Sequence, residues 1–152
     1  MKKTDLAYAA GLVDGEGCIT IVKNKDNRCH AGFSLYLRVI IGMATCDSLT
    51  WVNAIFGGSL YSNIRQYQTY TLVVYQWAIS CKQALRFLES ILPYLKDKQN
   101  QARVAIEFQR GKHLGGYKKD ELIEKEVALY EKIRDMKNDY KKITIGEEVL
   151  YE

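Results

Sequence analysis

The segment AAGLVDGEG at residues 9–17, an apolar stretch that runs directly into two acids flanked by glycines, constrains the fold of this chain most. Residues 5–13 contain few helix-breaking residues, and they place apolar side chains on all sides of a helix. Such a helix must be buried on every side, within its own core and against a partner. Small residues recur along one face at spacings of three and four, where a second helix can approach closely: Ala7, Ala10, Gly11 and Asp14.

The end of this helix is predicted to present an acid. Gly15 and Gly17 are expected to end the helix, and Glu16 lies between them. The C-terminus of a helix is already partly negative, so a carboxylate there is unfavourable unless a cation lies beside it. The sequence therefore predicts a closely packed helix pair with an acid at its end, and this acid is a candidate metal ligand.

Composition excludes several classes of protein. The chain has 152 residues, of which 47% are hydrophobic and 26% charged, as expected for one globular domain with a real core. No apolar run approaches the roughly 20 residues of a membrane span, and the N-terminus does not resemble a signal peptide. The four cysteines form no C-x-x-C pair, so neither zinc nor a disulfide framework is indicated. We expect an intracellular protein that does not associate with membranes.

Charge is distributed unevenly along the chain. Residues 1–117 contain 14 lysines and arginines against 8 acids, a net charge of +6, whereas residues 118–152 contain 8 against 10, a net charge of −2. A basic body with a more acidic C-terminal part is compatible with nucleic-acid binding, and equally with ordinary surface charge.

The pattern of apolar residues predicts a mixed fold. Residues 33–41 alternate cleanly between apolar and other side chains, which is typical of a strand with one buried face. The order of predicted elements is helix, two strands, helix, two strands and then helices. We therefore expect an α+β domain with a four-stranded, mostly antiparallel sheet. Helices are expected at 81–91, before Pro93, and at 96–112 and 118–142.

The motif resembles the signature of the LAGLIDADG homing endonucleases. Val13 is a conservative change from the signature's isoleucine, Gly15 replaces its alanine, and Glu16 replaces its second aspartate, where the family tolerates either acid. Ala9 departs from the leading leucine. The remaining motif residues match letter for letter: Ala10, Gly11, Leu12, Asp14 and Gly17.

The resemblance implies the αββαββα core of that family, with a saddle-shaped antiparallel sheet, over about residues 5–110. Residues 1–152 would form one endonuclease domain, with a C-terminal helical extension at about 117–142. A single motif per chain implies a homodimer that binds a long, pseudo-palindromic double-stranded DNA site. It also implies cleavage of both strands with Mg²⁺ or another divalent metal such as Mn²⁺, leaving 3′ overhangs. Glu16, helped by the Gly15 carbonyl, would hold the metal.

The outward face of the sheet is rich in side chains suited to reading base edges, since arginine, asparagine, glutamine and hydroxyl groups all find partners in the major groove. The same alternation is also normal for a solvated sheet face. With the motif in view, we predict the following DNA-binding residues: Thr20, Asn24, Lys25, Arg28, Ser34, Tyr36, Arg38, Tyr61, Asn63, Arg65, Tyr70 and Gln76.

A second resemblance lies in LPYLKDKQNQA at 92–102, the family segment that brings a lysine toward the active site. It implies a catalytic role for Lys98, in steadying water or charge around the scissile phosphate, although a lone lysine at a helix start is more often a surface residue. One departure stands against catalysis. The family often has a polar residue where the second strand ends, and here that position falls at Ile41 or Gly42.

Two alternatives stay open at this point. LAGLIDADG proteins also act as intron maturases or as DNA-binding regulators that do not cleave, and intron RNA would be a partner only under that alternative. The intact acid and Lys98 favour the nuclease, and the apolar end of the second strand favours the alternative. His30 and His113 are candidate general bases in principle, but the resemblance requires neither.

Overall fold

The computed structural model describes residues 1–112 and 119–139. Within these ranges the chain forms four strands, five α-helices and a short 3₁₀ helix at Leu92–Tyr94. The strands are β1 (Gly17–Lys25), β2 (Phe33–Met43), β3 (Ser59–Gln66) and β4 (Thr71–Ser80). The helices are α1 (Lys3–Glu16), α2 (Asp47–Phe56), α3 (Cys81–Ile91), α4 (Gln99–Arg110) and α5 (Asp120–Asp139). The predicted element order and the α+β class are confirmed.

The four strands form one antiparallel sheet in the order β1-β2-β4-β3. Alternate residues of β2 are buried, so the period-two pattern of the sequence does mark a strand with one face on the core. β1 pairs along its full length with β2, from Gly17 opposite Ile41 to Lys25 opposite Phe33. The hairpin of β3 and β4 joins the sheet through β4, so β1 and β3 form its two edges.

The helices cover one face of the sheet and enclose the core. Trp77 of β4 is fully buried, and its ring centroid lies 5.2 Å from that of Phe87 of α3 in an edge-to-face contact. The Trp77 indole N–H donates a hydrogen bond of 2.8 Å to the Gly57 carbonyl, which satisfies its one polar group. Gly58 has a φ of 114°, and a side chain there would meet Trp77 and Ile79. The turn between α2 and β3 therefore requires glycine at this position.

Helix α5 lies against α4 and the edge strand β1. Leu129 and Ile133 are the buried apolar residues of its inward face, with Met136 partly buried one turn further on. Of the predicted extension at 117–142, residues 117–118 and 140–142 lie outside the described residues, as does His113. No helix in the described ranges combines the length and apolar character that a membrane span needs.

Candidate functional site

Helix α1 passes directly into strand β1 at Gly17. The helix runs through Gly15 to Glu16, so the expectation that Gly15 helps to end it is wrong; Gly17 alone is the C-cap. Gly17 is extended, and a Cβ at this position would lie 2.6 Å from the Cα and carbonyl oxygen of Val13. Only glycine allows so abrupt a change from helix to strand. The exposed Glu16 is thereby fixed at the helix end, one residue before the sheet begins.

Lys98 lies against the same helix end. Its ammonium donates to the carbonyl oxygen of Val13, at 2.9 Å, and to that of Asp14. These carbonyls belong to the partly negative end of α1, so Lys98 supplies a positive charge where the helix dipole favours one. The segment at 92–102 thus brings Lys98 to the helix that carries Glu16. Lys98 is therefore not a surface lysine without contacts. Its role in catalysis stays a prediction.

Asp14 holds this arrangement together. Its carboxylate accepts hydrogen bonds from the backbone N–H groups of Lys96, at 2.7 Å, and Lys98, at 3.0 Å. The side chain is therefore turned toward its own chain rather than toward a partner helix. Ala10 is likewise fully buried within the chain. The predicted interface stripe needs correction at these two positions, because both side chains are engaged inside one subunit.

The outward stripe of α1 is displaced from the predicted one by about one residue. Ala7 and Gly11 are exposed, as a contact with a partner helix requires, and Gly15 continues the same stripe. Tyr8 lies beside them with 48% of its surface exposed, and its hydroxyl is 2.8 Å from that of Ser48. Apart from the adjacent residues and the backbone of α1 itself, no atom lies within 4 Å of a Cβ added at Gly11 or Gly15. This strip of α1 is open to a second helix.

Nine of the predicted DNA-binding residues share the face of the sheet opposite the helices. They are distributed over all four strands, and the strand registers place their side chains on the same face. They are Thr20, Asn24, Ser34, Tyr36, Arg38, Tyr61, Asn63, Arg65 and Gln76. We call this set the outer polar face.

Three predicted DNA-binding residues lie elsewhere. Lys25 is opposite Phe33 at the end of β1, in register with the core-facing residues, because strand alternation turns it away from Asn24. Arg28 is in the β1–β2 loop, where its guanidinium donates 3.0 Å and 3.2 Å hydrogen bonds to Asp26. This pairing lowers the pKa of the Asp26 carboxyl. Tyr70 is in the β3–β4 loop, stacked on Tyr67 with ring centroids 4.7 Å apart.

Side chains of the outer polar face also contact one another across strands. The Arg38 guanidinium reaches past β4 to donate a 3.3 Å hydrogen bond to the Tyr61 hydroxyl. Arg38 Nε is buried without a partner. Asn63 donates to the Gln76 side-chain oxygen at 2.9 Å. The donors and acceptors are therefore held in a defined arrangement, and at Arg38 one buried donor is left unsatisfied.

The end of β2 has the apolar character that the sequence suggested. Ile41 is fully buried opposite Gly17, so its side chain faces the core and not the outer polar face. Gly42 pairs with Gln76, and the Gln76 side chain lies 3.7 Å from where a Cβ of Gly42 would be. A polar side chain beside this strand end therefore comes from β4, which the linear sequence did not indicate.

The comparison with known families decides the classification. The sequence model described as "LAGLIDADG endonuclease" matches residues 9–114, which span the motif, the sheet and Lys98. The chain belongs to the LAGLIDADG endonuclease family. No curated protein matches the chain significantly.

Solved LAGLIDADG homing endonucleases share this fold. I-CvuI, in complex with the I-CreI target and 2 mM Mg with the DNA not cleaved, has a TM-score of 0.71 and 18% identity over 97% of this chain and 87% of its own. The archaeal intron-encoded I-Vdi141I, complexed with DNA, has a TM-score of 0.75 and 15% identity. The alignment covers 90% of this chain and 86% of that protein. I-TnaI has a TM-score of 0.64 and 19% identity, and the alignment covers 88% of this chain and 96% of that protein.

A cleft of about 430 Å³ opens beside the start of β1. Lys98 and Asp97 line it from the α4 side, and Gly17 and Cys18 line it from the strand. Lys137 of α5 completes the wall, with its ammonium 3.1 Å from the Cys18 thiol sulfur. Sequence reasoning missed Lys137, since it is one of several lysines on a charged helix and no motif distinguishes it.

A single chain offers few ligands for the metal that the LAGLIDADG resemblance implies. Within residues 1–112 and 119–139, no group of three or more His, Cys, Asp or Glu residues is arranged to hold an ion. The exposed Glu16 carboxylate and the Gly15 carbonyl at the end of α1 are oxygen donors, which suit Mg²⁺. Mg²⁺ often binds through one or two carboxylates together with substrate phosphates, so this donor set fits an ion held jointly with DNA.

Proposed function

We propose that this LAGLIDADG chain is a site-specific DNA endonuclease that acts as a homodimer on a long, pseudo-palindromic duplex. The observation that carries this is the position of Glu16. An exposed acid stands at the end of a helix whose open stripe, at Ala7, Gly11 and Gly15, suits close packing against its twin. Twofold pairing along that stripe brings two Glu16 carboxylates to the middle of the dimer, one for each DNA strand.

The outer polar face is the proposed DNA-reading surface. In the proposed dimer two such faces follow the two half-sites, and a ribbon of strands fits the major groove. Arg38 and Arg65 supply donors for guanine, and Asn63 and Gln76 have the amide geometry that pairs with adenine. I-CvuI and I-Vdi141I are in complex with DNA in their structures, which supports duplex DNA as the partner.

We propose Mg²⁺, or another divalent metal such as Mn²⁺, as the cofactor, with Glu16 and the Gly15 carbonyl as its protein ligands. When bound, the ion supplies water activation and stabilises negative charge on the phosphate and on the leaving 3′-oxygen. One I-CvuI complex was crystallised in the presence of Mg and another in the presence of Ca, and both are divalent ions. We expect cleavage to leave 3′ overhangs.

The chain's own residues prepare this site for an anionic backbone. Lys98 partly offsets the negative end of α1, so that a phosphate can approach Glu16 against less repulsion. The Asp14 carboxylate fixes the backbone on both sides of Asp97, which holds Lys98 in position. Gln76 lies beside Gly42, near the position where the family often has a polar residue on the second strand, and it is our candidate for orienting water.

A specific observation favours a second function. Ile41 is buried and Gly42 has no side chain, so β2 itself contributes no polar group at the strand end. A LAGLIDADG protein that keeps the helix pair and binds DNA or intron RNA without cleaving would tolerate this loss. Such a maturase or DNA-binding regulator is the alternative.

Cleavage of a randomised duplex library separates the two functions. The purified protein is incubated with the library in Mg²⁺, in Mn²⁺, in Ca²⁺ and with a chelator. Cut ends are captured and sequenced, and duplexes bound in Ca²⁺ are recovered and sequenced. The endonuclease proposal predicts enrichment of cut pseudo-palindromic sites with 3′ overhangs in Mg²⁺ or Mn²⁺, and none in Ca²⁺ or with the chelator. Selective binding in Ca²⁺ with no cut duplex in Mg²⁺ or Mn²⁺ would favour the non-cleaving alternative.

A further inference from the structure

Lys137 of the C-terminal helix stands at the candidate nuclease site. Its ammonium is 3.1 Å from Cys18 Sγ, and Cys18 follows Glu16 by only two residues. Lys137 lines the same cleft as Lys98, so a cation at the start of α4 and a cation on α5 line one opening beside Gly17, the residue that follows Glu16. The family match ends at residue 114, before this helix begins.

The position of Lys137 is set by packing. Ile133, which is 1% exposed, anchors α5 on its inward face, and Lys137 lies four residues later on the same side of the helix. Met136 also packs against the core. The side chain itself is half-buried. A long flexible side chain held in this way has already lost part of its rotamer freedom before any substrate arrives.

The two lysines differ in what they already bind. Lys98 donates to the carbonyls of Val13 and Asp14, so much of its charge is directed at the helix end. The partner of Lys137 among the described residues is a thiol sulfur, which is a weak acceptor. An ammonium so placed gains more from a phosphate oxygen than from its present contact.

We propose that Lys137 is a second phosphate-binding cation of the nuclease site, which contacts the DNA backbone at the cut and steadies the charge that develops there. The C-terminal helical extension would then complete the active site rather than only stabilise the fold. This inference rests on the proposed endonuclease function. Lys98 is engaged with the end of α1, and the inference assigns the additional contact with the DNA phosphate to Lys137.

The test compares Lys137→Met with Lys132→Met, which removes an exposed lysine from the same helix and serves as the matched control. The DNA is the duplex selected by the wild-type protein from the randomised library. If selection yields none, a random-sequence duplex of the same length is used for binding. Single-turnover cleavage is measured in Mg²⁺, and binding is titrated in Ca²⁺ at several salt concentrations. Lys137→Arg tests whether charge restores function, and urea unfolding confirms that each variant is folded.

We expect Lys137→Met to slow cleavage by about 100-fold, the order seen when one donor to developing charge is removed. Its salt slope for binding should fall by about 0.9 per subunit. Lys132→Met should change neither, and Lys137→Arg should recover most of the rate. A Lys137→Met protein with wild-type rate and slope overturns the inference but leaves the endonuclease proposal intact. If the wild-type protein cuts no duplex, the endonuclease proposal fails, and an unchanged salt slope then overturns the Lys137 contact as well.

Discussion

Replacing Gly11 with leucine is expected to separate dimer formation from folding. Gly11 is exposed in the middle of α1, and a Cβ there would have no atom within 4 Å apart from its chain neighbours and the backbone of α1 itself. The isolated subunit therefore accommodates the new side chain, and it gains helix propensity of up to about 1 kcal/mol because glycine is a poor helix former. In the proposed dimer the same side chain is inserted where two α1 backbones meet.

The size of the effect follows from the twofold symmetry. Overpacking costs about 1–3 kcal/mol for each inserted side chain, and one interface receives two of them. The expected loss is therefore about 2–6 kcal/mol of association free energy. At 1.4 kcal/mol for each factor of ten, the dimer dissociation constant should rise by roughly 30-fold to 10⁴-fold.

Sedimentation equilibrium over a range of concentrations measures this constant. The wild-type protein should sediment at twice the 17.5 kDa mass of the chain, and Gly11→Leu should shift toward the single-chain mass. Ala54→Leu is the control, since it adds a similar apolar side chain at an exposed position of α2 that is not part of the stripe. A Gly11→Leu dimer as tight as the wild type, or a wild-type protein that binds DNA as a monomer, would refute the proposed interface.

Three further predictions concern recognition and folding. Arg38→Ala should weaken binding by about 1–3 kcal/mol and relax preference at one base pair in each half-site, as titrations across single-base variants will measure; unchanged affinity and preference would remove Arg38 from the reading surface. Asp26→Asn should release Arg28, strengthen binding at low salt and steepen the salt slope, and a slope no steeper than wild type would mean that Arg28 contacts no phosphate. Gly17→Ala should lower the free energy of unfolding by about 1–3 kcal/mol or more in urea titration, because its Cβ meets the Val13 backbone, and wild-type stability would contradict that contact.

The fold was predictable because it depends on local patterns. The alternation of residues 33–41 marks a strand whichever other element it packs on, and the glycines, the proline and the helical periods delimit the other elements. Helix α1 shows where this information ends. Apolar residues on all of its sides do not distinguish its own core from a partner, so Ala10 and Asp14 were placed on the wrong face.

The candidate site was predictable only in part, for a similar reason. The approach of Lys98 to the helix that carries Glu16 was predictable because each of the two residues lies in a segment with a recognisable pattern. Lys25 was placed on the wrong face because strand alternation, which turns it away from Asn24, was not applied to β1. Lys137 and the position of Gln76 beside Gly42 depend on how α5 docks and how β2 pairs with β4. Both are tertiary relationships between segments distant in sequence.

The most direct test of the endonuclease proposal is Glu16→Gln, measured by single-turnover cleavage in Mg²⁺ beside binding titration in Ca²⁺. The substitution keeps the size of the side chain and removes one negative charge from each proposed metal site. Cleavage of both strands should be abolished, while DNA affinity should hold or rise, because a carboxylate facing phosphates is repulsive where metal does not offset it. Wild-type cleavage by Glu16→Gln would contradict the assignment of Glu16 and the mechanism built on it.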